Sequence, residues 1–304
     1  MMYTRRKVLF HLVRELGNPS NVVIQKSMFL LANSIQTKDK LYDFFPDRRG
    51  CYSLRLRSDY HYLADSGYLE EDYENKTYRA NKLDEYTCRI TFFIDKEIAS
   101  EIKRIAAFVG DHTEKELIEQ TYRSDPFYAI RSDIVDSLDL DENFHESLEE
   151  EKSHVANSEK ALYTIGYEGR SIDGFLNELI KRNIRTLFDV RKNAYSMQTE
   201  FSAQPLKNAL DEAGIAYVHC PEVGIATDKR QELLPNGRQS ELFEWYKENI
   251  LPRSRGFVDK AFSRFGNGSI AFMCYEKDPL DCHRSRLSDY CLNEESRFVK
   301  VIHI

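Results

Sequence analysis

The chain has 304 residues, 41% hydrophobic and 31% charged, with 43 Lys and Arg against 50 Asp and Glu. That apolar content suffices for buried cores in roughly two domains and excludes wholesale disorder. A net charge of −7 excludes a protein that coats nucleic acid over its whole surface, while leaving room for one basic face. No apolar run reaches the roughly 18–20 residues of a membrane span. The basic start, Met1 to Lys7, runs into His11, Arg14 and Glu15 rather than a clean apolar stretch, so a cytoplasmic protein without a membrane partner is expected. Cysteines 51, 88, 220, 274, 282 and 291 form no C-x-x-C pair, which argues against a disulfide framework or a zinc finger.

In chain order, residues 5–16 carry apolar side chains at 8, 9, 12, 13 and 16, a helical stripe that Gly17-Asn18-Pro19-Ser20 breaks. A second helix is predicted over 21–33 and, after a loop at 44–53, a third over 54–65, stopped by Gly67. Tyr68 to Arg79 reads as a small hairpin, so three helices and a hairpin give the layout of a winged helix. A strand is predicted over 88–94 and helices over 96–108 and 113–122. Residues 1–60 hold eleven cations against five acids, a net +6. Arg48, Arg49, Arg55 and Arg57 lie before and within the third helix, where a recognition helix would meet nucleic acid, DNA more than RNA. The alternative is a solvated helix face on a fold that serves protein contacts. Gly50, Tyr52 and Ser53, followed by Leu56, Asp59, Tyr60, Leu63, Gly67 and Leu69, resemble N-terminal winged-helix-like regions of bacterial proteins.

Residues 136–160 hold nine acids and two lysines and read as a solvated linker or a mobile, partly helical connector between a unit at 1–135 and another at 161–304. In that second unit strands are predicted at 162–166, 185–191, 216–220, 269–275 and 298–304, alternating with helices at 171–181, 206–213, 240–265 and 282–293. The expected fold class is α/β: a C-terminal Rossmann-like parallel sheet with helices on both faces, preceded by a mostly α, winged-helix-like N-terminal domain. Ligands of such sheets sit at the carboxyl ends of the strands. There the chain places Tyr167, Glu168 and Arg170, then Asp189 and Arg191, then Glu222, then Glu276, Cys282, His283 and Arg284, with His303 at the last strand.

The stretches 163–170, 189–193, 214–224 and 274–284 together resemble the "domain of unknown function 488" family over about residues 162–304. The resemblance implies the α/β fold and no particular reaction. Where family members tend to read Lys-Asn-Pro-x-Ser-Arg, this chain reads Lys192-Asn193-Ala194-Tyr195-Ser196-Met197, so one cationic side chain is replaced by Met197.

Arg170, Arg191 and Arg284 are the candidate anion-binding residues, because guanidinium forks match phosphate geometry. Glu168, Asp189, Glu276, Cys282 and His283 are the candidate catalytic residues, and Tyr167, Glu222 and His303 accessory ones. Cys282 at a helix start is either a nucleophile or a packed thiol. Adjacent helical residues diverge by about 100°, so it need not face His283. Glu276, Cys282 and His283 offer an oxygen–sulfur–nitrogen set that leaves zinc or another divalent metal open, without a recognised ligand spacing. Two function classes lead: an enzyme hydrolysing an N-glycosidic or phosphate bond of nucleic acid or a nucleotide, and a DNA-binding regulator sensing a nucleotide-like anion. A third is an adaptor in a bacterial defence complex, with a homodimer or protein partner.

Overall fold

The computed structural model describes residues 2–35, 41–233, 239–294 and 300–304. The backbone divides into two compact units, Met1–His154 and Val155–Ile304.

In the first unit, α1 (Thr4–Leu16), α2 (Asn21–Ser34) and α3 (Leu54–Asp65) form where the apolar stripes predict them. Ser20 and Ser53 cap α2 and α3 by accepting from Val23 N and Leu56 N. The stretch 44–53, expected as loop, contains an antiparallel pair, β1 (Phe45–Asp47) and β2 (Gly50–Tyr52). The expected hairpin forms as β3 (Leu69–Asp72) and β4 (Thr77–Ala80). The expected strand at 88–94 is instead α4 (Glu85–Thr91). Asp84 caps it, accepting from Thr87 N at 2.8 Å and Thr87 Oγ1 at 2.6 Å. Phe92 then drops into the core against Phe10 and Tyr68, while Ile90 and Phe93 stay exposed. Local capping and one deep anchor therefore override the β-like composition. Next come α5 (Lys96–Gly110) and α6 (Glu114–Ser124), the latter opened by a reciprocal capping box of Thr113 and Glu116. Within the acidic stretch, α7 (Glu142–Ala156) buries Phe144 and Leu148 with Ile118, Tyr122, Ala129 and Val135.

The second unit contains β5 (Leu162–Gly166), α8 (Ile172–Lys181), β6 (Ile184–Asp189), α9 (Ala203–Glu212), β7 (Ala216–His219), α10 (Thr227–Leu233), α11 (Gln239–Asn249), α12 (Arg255–Phe265), β8 (Ser269–Cys274), α13 (His283–Glu294) and β9 (Val301–His303). The strands form one all-parallel sheet, ordered β7-β6-β8-β5-β9, with flanking helices. Its central strands are near-continuous apolar runs because both faces are covered. The helix predicted over 240–265 is two helices. Pro252 has no N–H to continue α11, and a short 3₁₀ turn, Leu251–Arg253, separates it from α12. The closing strand is described over Val301–His303; Phe298 and Val299, expected within it, lie outside the described residues. No helix among the described residues is long and apolar enough to cross a membrane.

Candidate functional site

Register fixes where the chemistry gathers. Gly166 of β5 pairs with Cys274 of β8, and Asp189 of β6 pairs with Met273, so three central strands end nearly level. A Cβ on Gly166 would lie 1.9 Å from the Glu276 carbonyl oxygen, so only glycine lets the segment after β8 cross the end of β5. Gly224 plays the same part against the backbone of Lys192, at 2.2 Å. Three expected site residues hold this crossing. Glu168 accepts from Lys277 N at 2.9 Å, Arg170 Nε donates to the Gly166 carbonyl at 3.0 Å, and fully buried Arg284 donates to the carbonyls of Glu276 and Lys277. Arg284 thus grips backbone through both terminal nitrogens.

Arg191 and Asp189 form a buried bidentate pair, Nε–Oδ1 2.8 Å and Nη2–Oδ2 2.6 Å. Tyr217 donates to the same Asp189 carboxylate at 2.8 Å, and Arg191 also donates to Tyr167 Oη and the Phe201 carbonyl, both at 2.9 Å. Burial works against the Arg191 charge, but the hydrogen bond and charge of Asp189 outweigh it and raise its pKa. Burial, with Asp189 adding, pushes the Tyr217 hydroxyl up. Asp189 is therefore wrapped by its partners, and its main effect is to aim Arg191.

The remaining cluster is differently built. Cys282 is extended, φ −126° and ψ 141°, and α13 begins one residue later. The 100° divergence expected for two helical neighbours therefore does not apply, and Cys282 Sγ lies 3.8 Å from His283 Nδ1. Cys274 Sγ lies 3.8 Å from the same nitrogen. His283 Nε2 donates to the Val190 carbonyl at 3.0 Å, which turns Nδ1 toward the two thiols and toward Arg230 Nη2 at 3.4 Å. Cys274, Cys282 and His283 thus offer three ligand atoms within 4.8 Å of one another, all buried. The Glu276 carboxylate accepts from Cys274 Sγ at 3.1 Å and from Arg230 Nη1 at 2.9 Å. Burial alone would raise the Glu276 pKa; the Arg230 charge and the cysteine hydrogen bonds reverse this and hold it at about 2. The Cys274 thiol is lowered by its hydrogen bond to Cys282, against burial and with help from His283, while burial first and Cys274 second push Cys282 up.

Cys274 also lines a cavity of about 630 Å³. Its charged lining residues are all cationic, Arg191, Lys192 and Arg230, and Tyr167, Tyr195 and Tyr275 add aromatic faces. Met197, where the family pattern has arginine, lines the same cavity, and Arg230 brings a cation to it from α10. Glu168 and Glu276 line a second, more open hollow beside Lys277. Glu222 is exposed and His303 bonds Thr164 Oγ1 through Nδ1 at 2.7 Å; neither lines these cavities. In the first unit Arg48 and Arg49 are exposed on the β1–β2 turn and line a hollow of about 320 Å³ with Lys26 and Lys76. Arg55 and Arg57 lie half-buried on α3, with the Arg57 guanidinium 5.8 Å from the Tyr52 ring centre.

Two members of the cluster escaped the sequence reading. Cys274 ends the most apolar strand and looks like core, and Arg230 lies on the short polar helix Thr227–Leu233 with no stripe to mark it. Residues 171–291 match the family model described as Domain of unknown function DUF488. No curated protein and no solved structure matches the chain.

Proposed function

We propose that the second unit is a hydrolase of nucleotide-like anions, or of nucleic acid itself, working in the cavity at the carboxyl ends of β5, β6 and β8. One observation carries this reading: a cavity whose charged lining is wholly cationic and whose rim carries three tyrosines opens onto Cys274, beside Glu276. Guanidinium and ammonium groups suit phosphate, and aromatic faces suit a base. Glu276 is the candidate general base. Its pairing with Arg230 keeps it ionised at neutral pH, and a substrate anion competing for Arg230 would loosen that pair and strengthen the base. Water would then attack the scissile phosphorus or anomeric carbon, its proton passing to Glu276 as the P–O or C–N bond breaks and the departing oxygen or base nitrogen takes up a proton from solvent.

The mostly helical first unit, read as winged-helix-like, would carry nucleic acid on Arg48 and Arg49, with Arg55 and Arg57 nearby on α3. Binding of this kind weakens as salt rises, through counterion release. The test is incubation of the full chain with nucleotides and with single- and double-stranded DNA and RNA, followed by product analysis. Released free base identifies glycosidic cleavage, and released phosphate or shortened strands identify phosphoester cleavage. Tight binding of a nucleotide with no product would instead make the domain a sensor.

A further inference from the structure

We propose that Cys274, Cys282 and His283 bind a zinc ion. Ligand atoms of a tetrahedral zinc site with one histidine and two cysteines lie about 3.6 Å apart, and His283 Nδ1 lies 3.8 Å from each sulfur. Little movement is needed to close around an ion. The imidazole is already oriented: its Nε2–H donates to the Val190 carbonyl, the outer-shell hydrogen bond that metal-binding histidines characteristically make. Charge balance fits the burial. Two thiolates neutralise a divalent cation, and the neighbouring Glu276 is neutralised by Arg230, so the occupied cluster buries no net charge. Thiolate and imidazole donors favour zinc over magnesium or calcium, which take oxygen ligands.

The cysteines come from two different elements that the sheet brings together, the end of β8 and the residue before α13. Three protein ligands leave a fourth position, as in catalytic zinc sites. Glu276 stands outside the ligand trio, bonded to Cys274 Sγ, and Cys274 faces the cationic cavity. The ligand geometry stands without the hydrolase reading; only the chemistry a bound zinc would supply, lowering the pKa of a water in the fourth position, rests on it.

The test uses the full chain without a metal-binding tag, reduced, loaded with zinc and freed of excess. Elemental analysis is expected to find about one zinc per chain. Cobalt substitution is expected to give thiolate-to-cobalt charge-transfer absorption and the visible bands of tetrahedral cobalt. Zinc is expected to protect Cys274 and Cys282 from alkylation, with peptide mapping showing unchanged reactivity at Cys51, Cys88, Cys220 and Cys291. Cys282→Ser is expected to lower zinc affinity at least about 100-fold. Protection mapping on the wild-type chain keeps the test decisive if that variant folds poorly. Well under one zinc per reduced wild-type chain, protection at other cysteines, or undiminished affinity in folded Cys282→Ser would overturn the proposal. Zinc bound at these residues without turnover of any nucleotide would remove the hydrolase and leave the metal site. Turnover by zinc-free, chelator-treated protein would keep the hydrolase and overturn only a part for the ion in its chemistry, with the metal site still decided by the binding and protection results.

Discussion

Each unit pairs a carboxylate with arginine, buried Asp59 in the first and half-buried Glu276 in the second, and the two arrangements differ in what remains around them. In the first unit Asp59, 1% exposed, takes Arg5 and Arg6 at 2.6 Å each and the Tyr42 hydroxyl at 3.0 Å. Those partners come from α1 and from the segment before β1, and Asp59 on α3 ties the three elements together as a rivet. In the second unit Glu276 has Arg230 on one side, but on the other it meets Cys274, whose neighbours Cys282 and His283 present a second sulfur and an imidazole nitrogen. Asp189 resembles Asp59, being closed off by Arg191 and Tyr217. A buried charge alone therefore does not mark a site; unsaturated donor atoms facing a cavity do.

The comparison can be broken most forcefully at Asp59. Asp59→Ala leaves Arg5, Arg6 and Tyr42 without their shared acceptor and should destabilise the first unit by about 3 kcal/mol, the scale for removing one partner of a buried ion network. Denaturant titration checks this; a change under about 0.5 kcal/mol would show that solvent satisfies the arginines. At the site, Gly166→Ala drives a methyl into the Glu276 carbonyl and should cost about 1–3 kcal/mol, while reducing turnover through displacement of the segment that carries Glu276. Thermal melting and the assay read both effects, and an unshifted melt with full activity would deny the close approach its importance. The smallest effect is at the rim. Lys192→Ala should weaken binding of a nucleotide-like anion by a few-fold, an exposed charge being worth roughly 0.5–1 kcal/mol, with the difference shrinking as salt rises. Salt-independent loss would mean that Lys192 supports structure instead.

Much of this architecture was legible before any coordinates. Leu162–Gly166 and Ser269–Cys274 are too continuously apolar for an exposed strand, and their alternation with amphipathic helices implied the parallel sheet. The failures each have a local cause. The run at 88–94 has β-like composition, yet the Asp84 cap and the Phe92 anchor make it helix. Pro46 and three-residue strands hid the β1–β2 pair. Pro252 divides the stretch expected as one helix over 240–265, because a proline there lacks the N–H that would continue α11.

At the site, the sequence names Glu276, Cys282 and His283 together as possible ligands, but helical spacing leaves open whether the last two face each other, whereas Cys282 is extended just before α13. It placed Arg284 on a ligand because charge in a strand-end loop suggests one, whereas the side chain is committed to backbone carbonyls. Cys274 was invisible because a cysteine at the end of an apolar strand has the same local pattern as any packed thiol. Only the pairing of β5 with β8 and the start of α13 show what it faces.

Glu276→Gln tests the central claim most directly. The change keeps the volume of the side chain and an acceptor oxygen while removing the charge. Circular dichroism and melting should stay close to wild type, and turnover of the nucleotide or nucleic-acid substrate should fall by at least about 100-fold, the scale of a lost general base. Turnover equal to wild type in the folded variant would contradict the assignment and return Glu276 to the structural class of Asp59.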